Sequence, residues 1–349
     1  MRYSKVYIDS IGYELPPIVV TSEDLEQRLK PLFKALRIAE GQLTALTGIM
    51  ERRWWATGYK ITDGAIAAAR RALETSGVEP GDLEVLIYGG VCREQFEPAT
   101  ACGVAAGLGI SETASIYDVS NACLGVLNGI IDVANRIELG QIRAGLVVSC
   151  ETAREINEIT IQKLLEENDM NTFTTSIATL TGGSGAVAVL LTDGSFGTEN
   201  SHRLLGGVTY AAPEYHALCR WGMKPANLAL NVFSQFMSTD AVSVLKFGVE
   251  LGFRTFNLFL NEIGWAREQM DKVICHQVGA SHRDAILKTL GIPSEKDFPT
   301  YQFLGNIGTV SLPITAALAD EREFLKKGDR VGFLGIGSGL NCLMLGVEW

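Results

Sequence analysis

The sequence predicts an α/β protein in which buried strands alternate with helices, and three observations carry that prediction. Short apolar runs rich in Val, Ile and Leu recur along the 349 residues, bounded by glycine or polar turns. They are too continuous to be half-solvated strands, so they predict largely parallel sheets covered by helices on both faces. Between them lie stretches with apolar residues at helical spacing and recognisable ends. A hydrophobic content of 47% is ample for a sizeable core in one large or two medium domains.

Taken in chain order, "KVYIDSIG" reads as a first strand. The opening residues lack the apolar block and small-residue cleavage site of a leader, so a strand is expected there instead of a signal peptide. "DGAIAAARRALETSG" (63–77) predicts a helix with Asp63 as N-cap and Gly77 as its stop. "LEVLIYGG" (83–90) is the next strand. After Cys123, a helix follows with Leu127, Ile130, Ile131, Ala134 and Ile137 on one face, ended by Gly140. "AGLVVSC" (144–150) and "GAVAVLL" (185–191) are strands, as are "DKVICHQ" (271–277), "VGFLGIG" (331–337) and "CLMLGVEW" (342–349). The stretches 155–180 and 223–265 are predicted to be mostly helical. The alternation occurs at both ends with no short-period repeat or linker, which predicts two halves sharing one body.

A net charge of −10 argues against a nucleic-acid surface. No apolar run reaches the roughly 18–20 residues that a membrane span needs. The seven cysteines (92, 102, 123, 150, 219, 275, 342) are odd in number and lack CxxC spacing. Neither a disulfide framework nor a zinc site is expected, but a reduced, cytoplasmic protein.

Chemistry is suggested at four junctions. In "DVSNACLGV", Cys123 sits between the strand-like "ASIYDVS" and a helix start. A thiol at a helix N-terminus faces unpaired N–H groups and the positive end of the dipole, so the ionised, nucleophilic form is expected to be favoured. A nucleophile also needs proton transfer and an oxyanion site. Of the four histidines, His202, His216 and His282 are expected to be solvated or packed. His276 ends an apolar strand, at the carboxyl edge where α/β sheets bind ligands. Asn306, between Gly305 and Gly308 in "FLGNIGTVSLP", opens an apolar helix, where a plain N-cap is the competing explanation. The turn in "GFLGIGSGLN" can present backbone N–H groups to a developing negative charge, although such turns also exist merely to turn.

In that order, "DVSNACLG", "ICHQVGASHRDAILKTLGIP", "FLGNIGTVSLPI" and "FLGIGSGLNC" resemble the thiolase-fold condensing enzymes of the ketoacyl synthase III type. With "TGIMERRWW" and "EPATAC", the resemblance covers essentially the whole chain. It implies a duplicated, five-layered αβαβα thiolase fold, with one half over 1–180 carrying the cysteine and the other over 181–349 carrying the histidine and asparagine, usually in a homodimer. Cys123 matches the nucleophile that takes an acyl group as a thioester. His276 and Asn306 match the pair that stabilises the enolate of the second substrate. The backbone N–H groups of Cys123 and Ser338 match the oxyanion hole, Ser338 standing where the family usually has glycine.

Within the superfamily the chain resembles the olefin-pathway, OleA-type enzymes, which join two long-chain fatty acyl-CoA molecules head to head. The shared stretches are "GGVTYAAPEYHALCR", "SCETAREINEITIQKL" and "GIGSGLNCLMLGVEW". These enzymes also have the Glu-Pro pair of "CREQFEPATACG", on a loop that reaches the partner subunit's site. The resemblance implies that Glu97 removes an α-proton, a step unnecessary where malonyl decarboxylation makes the carbanion. A solvated acid is the alternative for Glu97. The tryptophan and arginine that hold the coenzyme's adenine in initiating synthases are missing from "GQLTAL". Arg52, Arg53, Trp54 and Trp55 follow, and are as consistent with core as with ligand contact.

The expected activity is a non-decarboxylative Claisen condensation giving a 2-alkyl-3-oxoalkanoic acid, with no metal or redox cofactor and coenzyme A thioesters as substrates. A ketoacyl synthase III using malonyl-carrier is the alternative. A non-catalytic partner subunit is disfavoured, because both cysteine and histidine are present. A hydrolase remains open, since water can intercept an acyl-cysteine.

Overall fold

The computed structural model describes residues 1–197, 201–227 and 232–349. Its strands are β1 (Tyr7–Glu14), β2 (Ile18–Thr21), β3 (Glu51–Trp54), β4 (Val85–Gly89), β5 (Ser115–Val119), β6 (Ala144–Glu151), β7 (Gly185–Thr192), β8 (His202–Ala211), β9 (Cys219–Asn227), β10 (Val232–Thr239), β11 (Lys272–Cys275), β12 (Arg330–Gly337) and β13 (Asn341–Glu348). The helices are α1 (Ser22–Arg28), α2 (Lys30–Leu36), α3 (Gln42–Thr47), α4 (Ile61–Ser76), α5 (Thr100–Leu108), α6 (Gly125–Glu138), α7 (Arg154–Glu167), α8 (Met170–Leu180), α9 (Ala241–Ile263), α10 (Ala280–Leu290), α11 (Tyr301–Leu304) and α12 (Ser311–Glu321).

Nine strands form one sheet in the order β11-β12-β13-β8-β1-β7-β6-β4-β5. It divides into two groups of like design. In the first, β1-β7-β6-β4-β5, the successive neighbours pair antiparallel, antiparallel, parallel and parallel. In the second, β8-β13-β12-β11, they pair antiparallel, antiparallel and parallel. The place of β5 is taken there by a single parallel bridge, Val273 to Asp297. The groups meet between β1 and β8 through the pairs Tyr7–Arg203 and Ile8–His202.

Strand alternation then builds five layers. From β4, β6 and β7, Val85, Ile87, Val147, Val187, Val189 and Leu191 face inward to a shared core with α6 and α12, which lie between the two strand groups. The neighbouring Leu86, Tyr88, Leu146, Val148, Ala188 and Leu190 face outward to α4 and α5. In the second group Val331, Phe333, Leu343 and Leu345 face the same central helices. Leu334, Cys342 and Met344 pack outward on α9 and α10. The succession is helix, sheet, helix, sheet, helix.

Several expectations are corrected. The sheet is not largely parallel: of its eight pairings, only β4–β5, β4–β6 and β11–β12 are parallel. Burial on both faces gives parallel and antiparallel strands the same apolar pattern, so the sequence does not separate them. Residues 219–227 and 232–239 form a hairpin of β9 and β10 against α7 and α8, where 223–240 had been expected to be helical. Gly222 and Pro225 disfavour a helix there. Helix α4 starts two residues before Asp63, with Lys60 at the N-cap position, while Gly77 ends it at φ +70°. Strand β7 lies beyond residue 180 yet pairs with β1 and β6, so the first strand group closes at Thr192. No helix among the described residues is long and apolar enough to cross a membrane.

Candidate active site

The carboxyl ends of the central strands open onto one cavity of about 680 Å³. Its lining includes Cys123, His276, Asn306 and Ser338, delivered from four separate junctions. Apolar side chains such as Ile156, Phe236, Met237, Ile307, Ile336 and Leu340 make up much of the wall. Such a wall suits a hydrocarbon chain far better than a charged metabolite.

Cys123 lies between β5 and α6, one residue before the N-cap Leu124. Its turn is tight: Ala122 has φ +45°, and Leu124 N–H donates to the Asn121 carbonyl at 2.8 Å. The helix start is fixed from the other half of the chain, because Val126 N–H donates to Thr309 Oγ1 at 2.8 Å. Close backbone approach also matters. A Cβ at Gly89 would lie 2.7 Å from the Gly125 carbonyl oxygen, so only glycine lets α6 dock on the end of β4. The turn after β12 is tied to the same place by Asn341 Nδ2 donating to Asn121 Oδ1 (3.0 Å), and Asn121 Nδ2 to Asn128 Oδ1 (2.8 Å).

The electrostatics of the thiol reverse the expectation. Burial pushes Cys123 up from 9.0 to about 12, with Cys219 and Glu151 acting in the same direction. A helix terminus contributes about 1 kcal/mol, less than one pKa unit, whereas the rise is about three units. Desolvation wins, and the resting group is a thiol.

His276 follows β11, and its N–H donates to the Leu334 carbonyl at 3.0 Å. Burial, and secondarily His282, depress its pKa to about 3, so the imidazole is neutral at pH 7. The adjoining Gln277 is a brace. Its Oε1 accepts from Thr300 N (3.0 Å) and Tyr301 N (3.3 Å), and its own N–H donates to Ser311 Oγ at 3.0 Å. This holds the segment leading to Asn306. There the backbone of Asn306 pairs with Thr181 and Gly183, and Gly305 takes φ +67° against the Thr181 carbonyl. Asn306 is not the N-cap of α12, which begins at Ser311. Its Oδ1 accepts from Gly308 N at 3.1 Å, leaving the amide NH₂ as the group available to the cavity.

Glu97 lies outside this lining, on the exposed stretch 94–98 beside Phe96, which is 97% exposed. The loop is pinned at both ends. The Glu151 carboxylate accepts from Val91 N (2.9 Å) and Cys92 N (3.1 Å). Asp118 accepts from Thr100 N and Ala101 N, each at 2.9 Å, and pairs with Arg93. A rigidly anchored loop therefore projects an acid and an aromatic ring away from its own chain.

Glu151, Cys219 and His282 also line the cavity, although the sequence assigned none of them to a site. Glu151 ends β6 and lines the same cavity as His276, so the strand-end criterion applied to His276 would have found it. Burial raises its pKa while its backbone donors oppose the rise. His282, expected to be solvated or packed, lies on the first turn of α10 against the cavity, and burial lowers its pKa to about 4. His202 is packed, stacked on Trp349 at 3.7 Å, and His216 is exposed. Arg52, Trp54 and Trp55 are buried and belong to the core. Among the described residues no group of three or more His, Cys, Asp or Glu is placed to hold a metal ion.

Comparison with known proteins gives the same picture. Residues 56–183 match the thiolase N-terminal domain, and 260–349 match the C-terminal domain of 3-oxoacyl-[acyl-carrier-protein] synthase III. The chain is 58% identical to the acyl-CoA:acyl-CoA alkyltransferase of Shewanella oneidensis, over 100% of both chains. It is 29% identical to the beta-ketoacyl-[acyl-carrier-protein] synthase III of Natranaerobius thermophilus, over 99% of this chain and 100% of that one. A cysteine-to-serine variant of Xanthomonas campestris OleA, solved with bound lauric acid and lauroyl-CoA, superposes with a TM-score of 0.92. It is 35% identical, and the match covers 99% of this chain and 100% of that one.

Proposed function

The chain belongs to the thiolase-superfamily condensing enzymes, in the branch of the acyl-CoA:acyl-CoA alkyltransferases, and on that premise we propose how its residues divide the work. The reaction is the head-to-head condensation of two fatty acyl-CoA molecules. The observation that carries the assignment of roles is the convergence of Cys123, His276 and Asn306, from both strand groups, on one largely apolar cavity.

In the first half-reaction the Cys123 sulfur attacks the thioester carbonyl of one acyl-CoA. Acyl-Cys123 forms, the bond to coenzyme A sulfur breaks, and the thiol proton ends on that departing sulfur. Backbone N–H groups of Cys123 and Ser338 hold the oxyanion. In the second, the Glu97 carboxylate of a partner subunit takes an α-proton from another acyl-CoA. The enolate oxygen is held by His276 and the Asn306 amide while its carbon attacks the acyl-Cys123 carbonyl and expels the thiolate. Hydrolysis of the resulting 3-oxoacyl thioester gives the 2-alkyl-3-oxoalkanoic acid and coenzyme A. Exposed Glu97 and Phe96 on a pinned loop favour the homodimer, since among the described residues neither side chain has a hydrogen-bond, ion-pair or ring partner. Location in the cytoplasm, and chemistry supplied by coenzyme A thioesters without a metal or redox cofactor, complete the reading.

Incubation with one labelled acyl-CoA, with and without malonyl-carrier protein, tests it by mass spectrometry. Wild type is expected to form the branched 3-oxo acid, or the ketone from its decarboxylation, without malonyl-carrier. Intact mass is expected to rise by one acyl group per chain, lost in Cys123→Ser and kept in Cys150→Ser and Cys275→Ser. An adduct that survives in Cys123→Ser overturns the mechanism, and a product that requires malonyl-carrier favours the ketoacyl synthase reading.

A further inference from the structure

His276 borders two cavities. One is the reaction cavity; the other, behind it, has a volume of about 20 Å³ and is lined by Cys275, His276, His282, Cys342 and apolar groups that include Ile286 and Met344. His282 also borders both. The Nδ1 atom of His276 is enclosed and has no hydrogen-bond partner among the described residues. A buried ring nitrogen left in this way is destabilising unless something satisfies it.

The small cavity is able to hold one water, for which about 10–15 Å³ suffices given two or more polar partners. One of its thiols is already engaged, Cys342 Sγ donating to the Gly335 carbonyl at 3.2 Å. On the same wall His282 supplies a second imidazole that can bind water. Among the described residues no direct hydrogen bond joins the two rings, so a molecule between them is the arrangement that satisfies His276 Nδ1.

We propose that His282 is a positioning residue for His276: it holds one buried water against His276 Nδ1, and that water fixes the tautomer whose Nε2–H faces the reaction cavity. The proposal rests on the enolate-stabilising role given to His276 above. A neutral imidazole carries one proton on either nitrogen, and the hydrogen bond made by one nitrogen decides which. A water donating to Nδ1 leaves the proton on Nε2, where it can be offered to the enolate oxygen. Both rings are neutral at pH 7, so tautomer choice and not charge is what the water controls.

Nitrogen-15 NMR of histidine-labelled protein tests this, four histidines being few enough to assign by single substitution. Wild type is expected to show His276 protonated at Nε2 with a hydrogen-bonded Nδ1. In His282→Leu, which cannot hold the water, His276 is expected to become a tautomer mixture. Condensation should then fall about 10–100-fold, as on loss of other groups that orient a functional histidine. Acylation of Cys123 should stay within about threefold, because His276 enters after it. His282→Gln, which retains an amide, should restore most of the condensation rate and the single tautomer. A pure Nε2–H tautomer in His282→Leu overturns the proposal, as does equal loss in the Leu and Gln variants. If the Leu variant does not fold, wild-type His276 protonated at Nδ1 overturns it just as well. His276→Ala separates the two claims: full condensation in that variant removes the catalytic role of His276 and leaves the tautomer measurement standing.

Discussion

In the first strand group β4 runs out into an exposed, pinned loop and β5 into the turn of Cys123; in the second, β11 stops at His276 and the Asp297 bridge leads on to Asn306. The third pair of equivalent junctions is Glu151 at the end of β6 and Ser338 just after β12. Strand order and the pattern of pairing are the same in both groups, and although the groups join antiparallel at β1 and β8, junctions from both line the same cavity. What differs is where the chain goes next. The second group turns straight back into the cavity with neutral hydrogen-bond donors. The first places the Cys123 thiol and the Glu151 carboxylate at the cavity and leaves the Glu97 carboxylate exposed outside it. The comparison teaches that the shared strand pattern fixes the positions of the junctions, while the loop that follows decides whether a residue reaches the cavity or stays exposed outside it.

The widest break in that comparison is predicted at Glu97. Glu97→Gln keeps size and hydrogen bonding but not basicity, so Cys123 should still acylate while condensation falls roughly 10²–10⁴-fold. Mixing or co-expressing Glu97→Gln with Cys123→Ser chains should restore activity, because a hybrid dimer contains one site with both groups intact. Wild-type condensation by Glu97→Gln would remove the base, and absence of complementation would place the acid in its own chain's site.

Next come the inward donors of the second group. His276→Ala and Asn306→Ala should each lower condensation about 10²–10³-fold, by analogy with loss of an oxyanion donor. Single-turnover acylation, followed by intact mass, should suffer less. Slow acylation followed by normal condensation would reverse the roles given to the two strand groups.

The smallest effect concerns the thiol itself. With a pKa near 12, about 1 in 10⁵ of Cys123 is thiolate at pH 7, and that fraction grows about tenfold per unit below the pKa. Alkylation of Cys123 by iodoacetamide, read by peptide mass spectrometry, should therefore rise about tenfold per unit from pH 7 to 10. A plateau near neutrality would mean that the helix end outweighs burial after all.

Much of this was legible in the chain. Cys123, His276 and Ser338 each follow a strand and Asn306 a glycine turn before an apolar helix, and their order along the sequence resembles one superfamily. Glu97 was legible only as a residue type beside a proline. His282 was not legible, because its sequence neighbours Ser281 and Arg283 suggest an ordinary helix face, and it takes β11 and β12 to close a cavity behind it. Glu151 was hidden by the same limit: its two partners, Val91 and Cys92, are about 60 residues away.

By itself, then, the sequence determined which segments are buried and which polar groups stand at their ends, since burial follows from apolar pattern and junctions follow from glycine and turn chemistry. Strand direction was decided by the tertiary structure, because a strand buried on both faces has the same composition whichever way its neighbours run. So was the protonation of Cys123 and His276. A pKa depends on desolvation and on charges brought near from distant parts of the chain, and Cys219 and Glu151 reach Cys123 only when the two halves have closed around the cavity.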